Sequence, residues 1–394
     1  MNIKVTRTAF IPDPIRISRY HKFPELGPEI LFFSGGSALN GLSQHLKRFT
    51  YNSIHLVTPF DSGGSSAKLR HAFDMPAIGD LRSRMIALAD ETITGHPEVY
   101  RLFTYRLSLQ KSQKVLLQQL TDMVDGKDPL IQAIANPMRR LIRNLLGFFT
   151  QQVPSNFDLR GASIGNLALA GGYLNNHRHL DPVIFLFSKL VSVQGTVRAT
   201  VNNNLHLAAE LESGDILVGQ HRMTGKETAP IQSRIKRLML SSHPDKYVPA
   251  EASIRKKNRK LIQHADLICF PPGSFHSSLM ANLLPEGVIS AIVSNNNPKV
   301  FIPNLGNDPE QFGMTLKEST DYLLTVMKQA SPGAPTSALL NFILLDSKNG
   351  NYNGPVPVAL KKQGIEIIDT NLVSPQSTPY YDPALLSNAI LSLV

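Results

Sequence analysis

EILFFS (residues 29–34), GGSALNGLSQHLKRF (35–49) and NSIHLVT (52–58) follow one another, and their alternation decides the fold. The first is an unbroken apolar run of strand length, the pattern of a strand covered on both faces. The second turns through Gly35 and Gly36 and then sets Leu39, Leu42 and Leu46 on one side of a helix. The third is again a short apolar run. A strand, a helix and a strand within about 30 residues make the βαβ unit of a parallel sheet. The class that follows is α/β, a mostly parallel sheet with helices on both faces.

Downstream the same grammar recurs. ASIRKKNRKLIQHA (252–265) reads as a helix feeding the strand DLICF (266–270), which meets PPGS (271–274) before another helix near Phe275–Leu284. KVFIPN (299–304) is a further core strand, LKESTDYLLTVMKQ (316–329) a helix capped by Thr315, and NFILLDS (341–347) and IEIIDT (365–370) late strands. Between the two strand–helix groups the period changes. Helical spacing from Thr94 to Phe149 marks a helical insertion over about 95–160, and residues 163–193 continue as helices. TVRATV (196–201), LHLAAEL (205–211) and ILVGQHRM (216–223) read as strands, the last two joined by the turn ESGD, which predicts a small antiparallel excursion. Residues 1–28, rich in proline and basic side chains, are expected to form an extended arm. The main domain is expected over 29–330, and 331–394, entered through the linker SPGAPTS and closed by the helix PALLSNAILSLV, as an extension packed on the core.

Composition narrows the function classes. A chain with 42% hydrophobic and 18% charged residues is of ordinary globular type, and no run approaches the roughly 18 apolar residues of a membrane span. The start has no apolar core of secretory length, so the expected location is the cytoplasm. The single cysteine, Cys269, lies in the apolar run LICF and reads as a small buried hydrophobe. A formal charge of +10 predicts a field that gathers anions. The basic runs RIKR and RKKNRK within 234–260 read as a solvated helix face. With 7% aromatic residues and no tryptophan, a stacking platform for nucleic acid is not expected.

The chemistry concentrates in turns at strand ends. Ser34-Gly35-Gly36-Ser37 offers backbone N–H groups at a helix start, where orphan donors and the helix dipole favour an anion. It matches neither the dinucleotide fingerprint nor a Walker A loop. Pro59-Phe60-Asp61-Ser62-Gly63-Gly64-Ser65-Ser66 places a carboxylate, two glycines and several hydroxyls at the next strand end. Turns on adjacent parallel strands open into one crevice, where open α/β sheets bind ligands. Asp61 is either a Mg²⁺ ligand, since that ion takes one or two carboxylates plus phosphate oxygens, or the cap of its own turn. Asp80 and Arg82 in PAIGDLR add an acid and a guanidinium that either brackets phosphate or pairs with Asp80 at the surface. His177-Arg178-His179 with Asp181 reads as a polar helix cap in preference to a metal cluster.

FSGGSALNGL (33–42), VTPFDSGGSSAKLR (57–70) and PAIGDLR (76–82), in this order and spacing, resemble the opening of the CofD-like family, which contains 2-phospho-L-lactate transferase and the gluconeogenesis factor YvcK. GASIGNLALAGGYL (161–174), HADLICFPPGSFHSSLMANLLPEGV (264–288) and PKVFIPNLG (298–306) resemble its later motifs, so the similarity spans roughly residues 29–325. The resemblance implies a Rossmann-like core, a homodimer and a nucleotide-linked small-molecule ligand, GDP-type or UDP-sugar. It implies phosphate contacts from Gly35, Gly36 and Ser37 and from Gly63, Gly64, Ser65 and Ser66, and a nucleotide side lined by Asn166, Gly273 and Ser274. The implied activity is Mg²⁺-dependent transfer of a phospholactyl-type group from a guanosine diphosphate-linked donor to an acceptor hydroxyl. In that scheme Mg²⁺ sits near Asp61, Arg82 or Lys68 assists, and Asp80 orients the acceptor. The alternative is the family's regulatory branch, which binds nucleotide sugars without turnover. Ser62 stands where the family usually has a second acid, and Ala67 where a glycine is usual.

Overall fold

The computed structural model of the chain describes residues 8–306 and 308–394. Its centre is the apolar run at residues 30–34. Ile30–Ser34 forms strand β1, every residue of it buried. Ile30 and Phe32 point into one core cluster, and Leu31 and Phe33 into the cluster on the opposite face. Burying each such side chain contributes on the order of 2 kcal/mol, and period-two alternation shares that gain between the two faces.

Parallel neighbours extend the sheet on both sides. Strand β2 is Ile54–Val57 and β3 is Thr196–Ala199. A separate antiparallel sheet is built from β4 (His206–Leu211), β5 (Ile216–Val218), β6 (Ile235–Ser241) and β7 (Pro249–Ala250). The main sheet then continues with β8 (Leu267–Phe270), β9 (Lys299–Phe301), β10 (Phe342–Leu345) and β11 (Glu366–Asp369). Its order is β11-β10-β9-β8-β1-β2-β3, and every pairing in it is parallel. The antiparallel sheet, ordered β5-β4-β6-β7, drives Leu207, Ala209, Leu238 and Leu240 into the main core and thereby fixes its position against the cleft.

Helices cover both faces. The N-terminal helix α1 is Pro14–Lys22, and α2 (Asn40–Leu46), α3 (Gly64–Phe73) and α4 (Gly79–Ala87) follow the first two strands. The helical insertion consists of α5 (Pro97–Thr104), α6 (Gln113–Asp125), α7 (Pro129–Gln132) and α8 (Met138–Gln152). It packs, together with α9 (Ile164–Asn175) and α10 (Leu180–Leu190), into one apolar cluster with Val57, Val197 and Ala199 of the sheet. The basic helix α11 is Lys256–His264. Thr315 caps the helix Leu316–Ala330 in a full capping box with Glu318. Cys269 is buried in the sheet, and burial pushes its thiol well above its ordinary range.

Three expectations need correction. Within the described residues the N-terminal segment is not an extended arm. Asp13 accepts hydrogen bonds from the Ile15 and Arg16 amides and starts α1, with Pro14 at the first helical position, while its own amide donates to Ser392 Oγ at 2.8 Å. The stretch beyond residue 330 contributes β10 and β11 to the sheet itself, and its last helix, Pro383–Leu391, packs on the core from outside, against α2. RIKR (234–237) runs into a strand, not along a helix face. Lys236 and Arg237 project outward from β6 and share the carboxylate of Glu210 on β4, at 2.7 and 2.8 Å.

Candidate functional site

In the sheet order, the chain leaves β1 toward β2 and β3 on one side and later returns through β8 on the other, so the carboxyl ends of these strands flank a topological switch point. A cleft of about 580 Å³ opens there. Its lining brings together Gly35, Gly36 and Ser37 after β1, Asp61, Gly63, Gly64, Ser65 and Ser66 after β2, Asp80 and Arg82 on α4, Asn166 on α9, and Gly273 and Ser274 after β8. Lys68 is placed elsewhere. It lies outside this lining, with Nζ 2.9 Å from the Asp158 carboxylate.

The first turn is held from behind. Arg84, fully buried on α4, donates to the carbonyl oxygens of Gly36 at 2.9 Å and Gly35 at 3.4 Å and to Ser43 Oγ at 2.7 Å. Burial lowers its pKa to about 10, with Asp80 opposing the shift, so the guanidinium stays charged. With the carbonyls fixed inward, the Gly36 and Ser37 amides take no protein acceptor among the described residues. A Cβ on Gly35 would overlap Ser278 Oγ, which confines that position to glycine.

The second turn repeats the device with a different occupant. Arg70 on α3, also buried, donates to the carbonyls of Phe60 (3.2 Å) and Asp61 (3.1 Å). Here two amides are engaged. The Gly63 N–H donates to Asp61 Oδ1 at 3.0 Å and the Gly64 N–H to Glu227 Oε1 at 2.8 Å, while Ser65 and Ser66 present the remaining amides of the first helical turn. Gly64 has φ of +50°, a left-handed conformation in which a β-branched side chain would be strained. The Ser62 hydroxyl accepts the His221 N–H at 3.1 Å and shares a hydrogen bond of 2.8 Å with its Nδ1.

The third turn is satisfied internally. Gly273 exchanges two hydrogen bonds of 2.6 Å with the Asn304 side chain, and the Phe275 N–H donates to Asp308 Oδ2 at 2.8 Å. The His276 and Ser277 amides both donate to Glu310 Oε2, at 2.9 and 2.7 Å. Gly273 and Ser274 border the cleft, and around them the amides of Gly273, Phe275, His276 and Ser277 already have acceptors.

Between the first two turns lie the acids. Burial, then the neighbouring Asp61 charge, raises the Asp80 pKa to about 7 against the pull of Arg84, Lys226 and Arg82. Arg82 does not pair with Asp80 at the surface. Its Nε donates to Asn166 Oδ1 at 2.9 Å, and Asn166 Nδ2 donates in turn to Ser65 Oγ at 3.2 Å, which ties α4, α9 and the second turn together. Among the described residues no three acidic, His or Cys side chains gather as a metal cluster. In the histidine-rich turn after α9, Arg178 donates to the carbonyls of Phe73 and Asp74, a structural role.

Sequence reading missed the wall contributed by the antiparallel sheet. Gln220, His221, Thr224, Lys226 and Glu227, which follow β5, and Arg106 from the insertion all line the cleft. No periodicity or turn signal marks them, since they arrive through the packing of a second sheet.

Fold and cleft together define a class, a Rossmann-like α/β protein with a cleft of glycine turns, arginines and paired acids at the switch point of its sheet. The chain belongs to the CofD family: the family model described as 2-phospho-L-lactate transferase CofD matches residues 30–373, from the first residue of β1 to beyond β11. It is 26% identical over 315 residues to the gluconeogenesis factor of Halalkalibacterium halodurans, a match covering 79% of this chain and 77% of that one. It is 28% identical over 283 residues to the gluconeogenesis factor of Bacillus subtilis, covering 72% and 69%. A crystal structure of a UPF0052-family member from Bacillus halodurans superposes with a TM-score of 0.67 at 23% identity, covering 93% of this chain and 99% of that chain, and shows the same fold. Among the described residues, no helix is long and apolar enough to cross a membrane.

Proposed function

We propose that the cleft binds a guanosine diphosphate-linked donor and transfers its distal phospho-ester group to an acceptor hydroxyl. The observation that carries this reading is the pair Asp61 and Asp80, set between two glycine turns whose carbonyls are pinned by buried arginines. Open amides of Gly36, Ser37, Ser65 and Ser66 face where phosphate oxygens would lie, and such preorganised donors stabilise developing charge without reorganisation. The acceptor oxygen would form a bond to the distal phosphorus as the pyrophosphate bridge breaks and the nucleoside monophosphate leaves. Asp80, with a pKa of about 7, suits receipt of the hydroxyl proton. Arg82, already aimed at Asn166, would steady the transferring group.

Mg²⁺ fits these residues. Asp61 and Asp80 disfavour each other's charge, and a divalent cation held by Asp61 and phosphate oxygens would relieve that repulsion. When bound, it would neutralise charge on the phosphates. The family also suggests a homodimer, which sedimentation would read.

One observation favours the regulatory reading, a nucleotide-sugar-binding protein without turnover. Ser62, at the place of the family's usual second acid, is tied to His221 of the antiparallel-sheet wall. A thermal-shift panel of GDP, GTP and UDP-sugars with and without Mg²⁺ separates the two. A ligand at 100 times its Kd adds about 2.7 kcal/mol of apparent stability. GDP-type preference that requires Mg²⁺ is expected; UDP-sugar preference without metal dependence would transfer the assignment to the regulator.

A further inference from the structure

The loop from β5 to β6 brings His221 into the lining of the main cleft and ties it to Ser62 of the second glycine turn. The His221 backbone N–H donates to Ser62 Oγ at 3.1 Å, and its carbonyl accepts from the hydroxyls of Thr228 at 3.2 Å and Thr224 at 3.4 Å. Met223, two residues on, is buried in the main core, and Gln220 Nε2 donates to Ser277 Oγ at 3.1 Å. The main chain around the histidine is therefore anchored without help from its ring. The ring has an anchor of its own, the 2.8 Å hydrogen bond between Nδ1 and Ser62 Oγ. It also packs on Gly219, where φ is +97° and a Cβ would stand 2.6 Å from His221 Cε1, so the ring's place depends on glycine there.

These hydrogen bonds decide which ring nitrogen carries the proton. Ser62 Oγ accepts from the His221 amide, and among the described residues its own hydroxyl proton has one acceptor, Nδ1. The hydroxyl therefore donates to Nδ1, and the neutral imidazole keeps its proton on Nε2. Nε2 takes no partner among the described residues, and it is not sealed in the interior as both ring nitrogens of His276 are. An acid at position 62 would do the reverse. A carboxylate can only accept, so it would hold the proton on Nδ1 and leave a lone pair on Nε2. Serine at the place of the family's usual acid thus makes this ring a donor toward the cleft.

We propose that His221 is a ligand contact at the second glycine turn, donating its Nε2–H to a phosphate oxygen, and that Ser62 is the positioning residue that fixes the ring's tautomer and orientation. The ring adds a side-chain donor to the open amides of Ser65 and Ser66. As a neutral donor it leaves unchanged the balance of Arg82, Arg106 and Lys226 against Asp61, Asp80 and Glu227 in the cleft lining. A donor held in place before the ligand arrives needs no reorganisation to bind it. The inference rests on the reading of the cleft as a nucleoside diphosphate site, which the transferase and the regulator share, and not on turnover.

Titration calorimetry of the full chain with GDP, UDP and inorganic pyrophosphate, each with Mg²⁺, tests the contact. His221→Leu should weaken whichever of them binds by about tenfold, as expected for a lost hydrogen bond to a charged group. His221→Gln, whose amide N–H reaches the place of Nε2, should restore affinity to within about threefold of the parent, whereas His221→Asn, which reaches only the place of Nδ1, should not. Ser62→Ala should lose about threefold, and Ser62→Thr, which keeps the hydroxyl, should bind as the parent does. NMR of the imidazole nitrogens in the ligand-free protein, with His221→Gln identifying the resonances, should find Nε2 protonated and an Nδ1 signal that moves in Ser62→Ala. A proton on Nδ1, parent affinity in His221→Leu, or a glutamine variant as weak as the leucine variant would overturn the contact and leave the reading of the cleft standing. Binding of UDP or pyrophosphate that depends on His221, with no binding of GDP, would keep the contact and remove the guanosine-linked donor. If none of the three binds the parent, both fall.

Discussion

The turn after β1 and the turn after β8 share one grammar, an apolar strand running into a glycine- and serine-bearing turn and then a helix, yet they end in opposite chemical states. Behind the first, Arg84 draws the Gly35 and Gly36 carbonyls inward and leaves the amides of Gly36 and Ser37 open to the cleft. At the other, Asn304, Asp308 and Glu310 consume the amides of Gly273, Phe275, His276 and Ser277. A buried cation behind a turn presents donors, whereas a buried carboxylate in front of it consumes them. The turn after β2 combines both, with Arg70 behind and Glu227 on one amide in front.

The strongest way to break this comparison is at the filled turn. Glu310→Ala removes the acceptor of two amides and of the Ser277 hydroxyl, all buried. Unsatisfied buried donors cost about 1–3 kcal/mol each, and relief of the repulsion between Glu310 and Asp308 offsets part of that. We expect a net loss of about 3 kcal/mol in urea denaturation, with nucleotide affinity unchanged in the folded fraction. A variant as stable as the parent would show that the carboxylate is not what fills the turn.

Arg84→Met does the complementary thing. It should cost about 2 kcal/mol of stability, because it frees the buried Gly35 carbonyl, the part-buried Gly36 carbonyl and the buried Ser43 hydroxyl, and it should weaken nucleotide binding by tenfold or more, since the carbonyls no longer hold the amides outward. Titration calorimetry on the folded variant reads the second effect. Undiminished affinity would mean that the first turn keeps its shape without the arginine.

A smaller effect sharpens the contrast through pH. Asp80, beside the first turn, and Glu310, in front of the third, both have pKa values raised to about 7, chiefly by burial. Because the folded protein holds these protons more tightly than the unfolded chain, their contribution is full below about pH 4 and is lost as pH climbs through about 7. Stability should therefore fall between pH 5 and 7, by on the order of 1 kcal/mol for each group. Asp80→Asn and Glu310→Gln should each flatten part of that slope in melting curves. Mg²⁺ with nucleotide should flatten only the Asp80 part, and a Mg²⁺ effect that survives Asp80→Asn would remove this acid from the cation's neighbourhood.

Local periodicity was enough to place β1, β2 and β8, the helix with Leu39, Leu42 and Leu46, the insertion, the antiparallel excursion and the order of the three turns, because each depends on residues within one or two turns of chain. The Asp13-Pro14 start of α1 is a local cap of the same kind, set among the other prolines of the N-terminal segment. Which amides remain free for a ligand was not legible. That depends on acceptors supplied from far along the chain, Glu227 to Gly64 across 163 residues and Glu310 to His276 across 34, and on arginines whose burial alone turns a helix side chain into a clamp. The sequence by itself determined where the turns are and that strand ends carry them to one edge of a parallel sheet. Only the tertiary structure decided which of them can receive an anion, because a hydrogen-bond donor is used or free according to what folds against it, not according to the residues beside it.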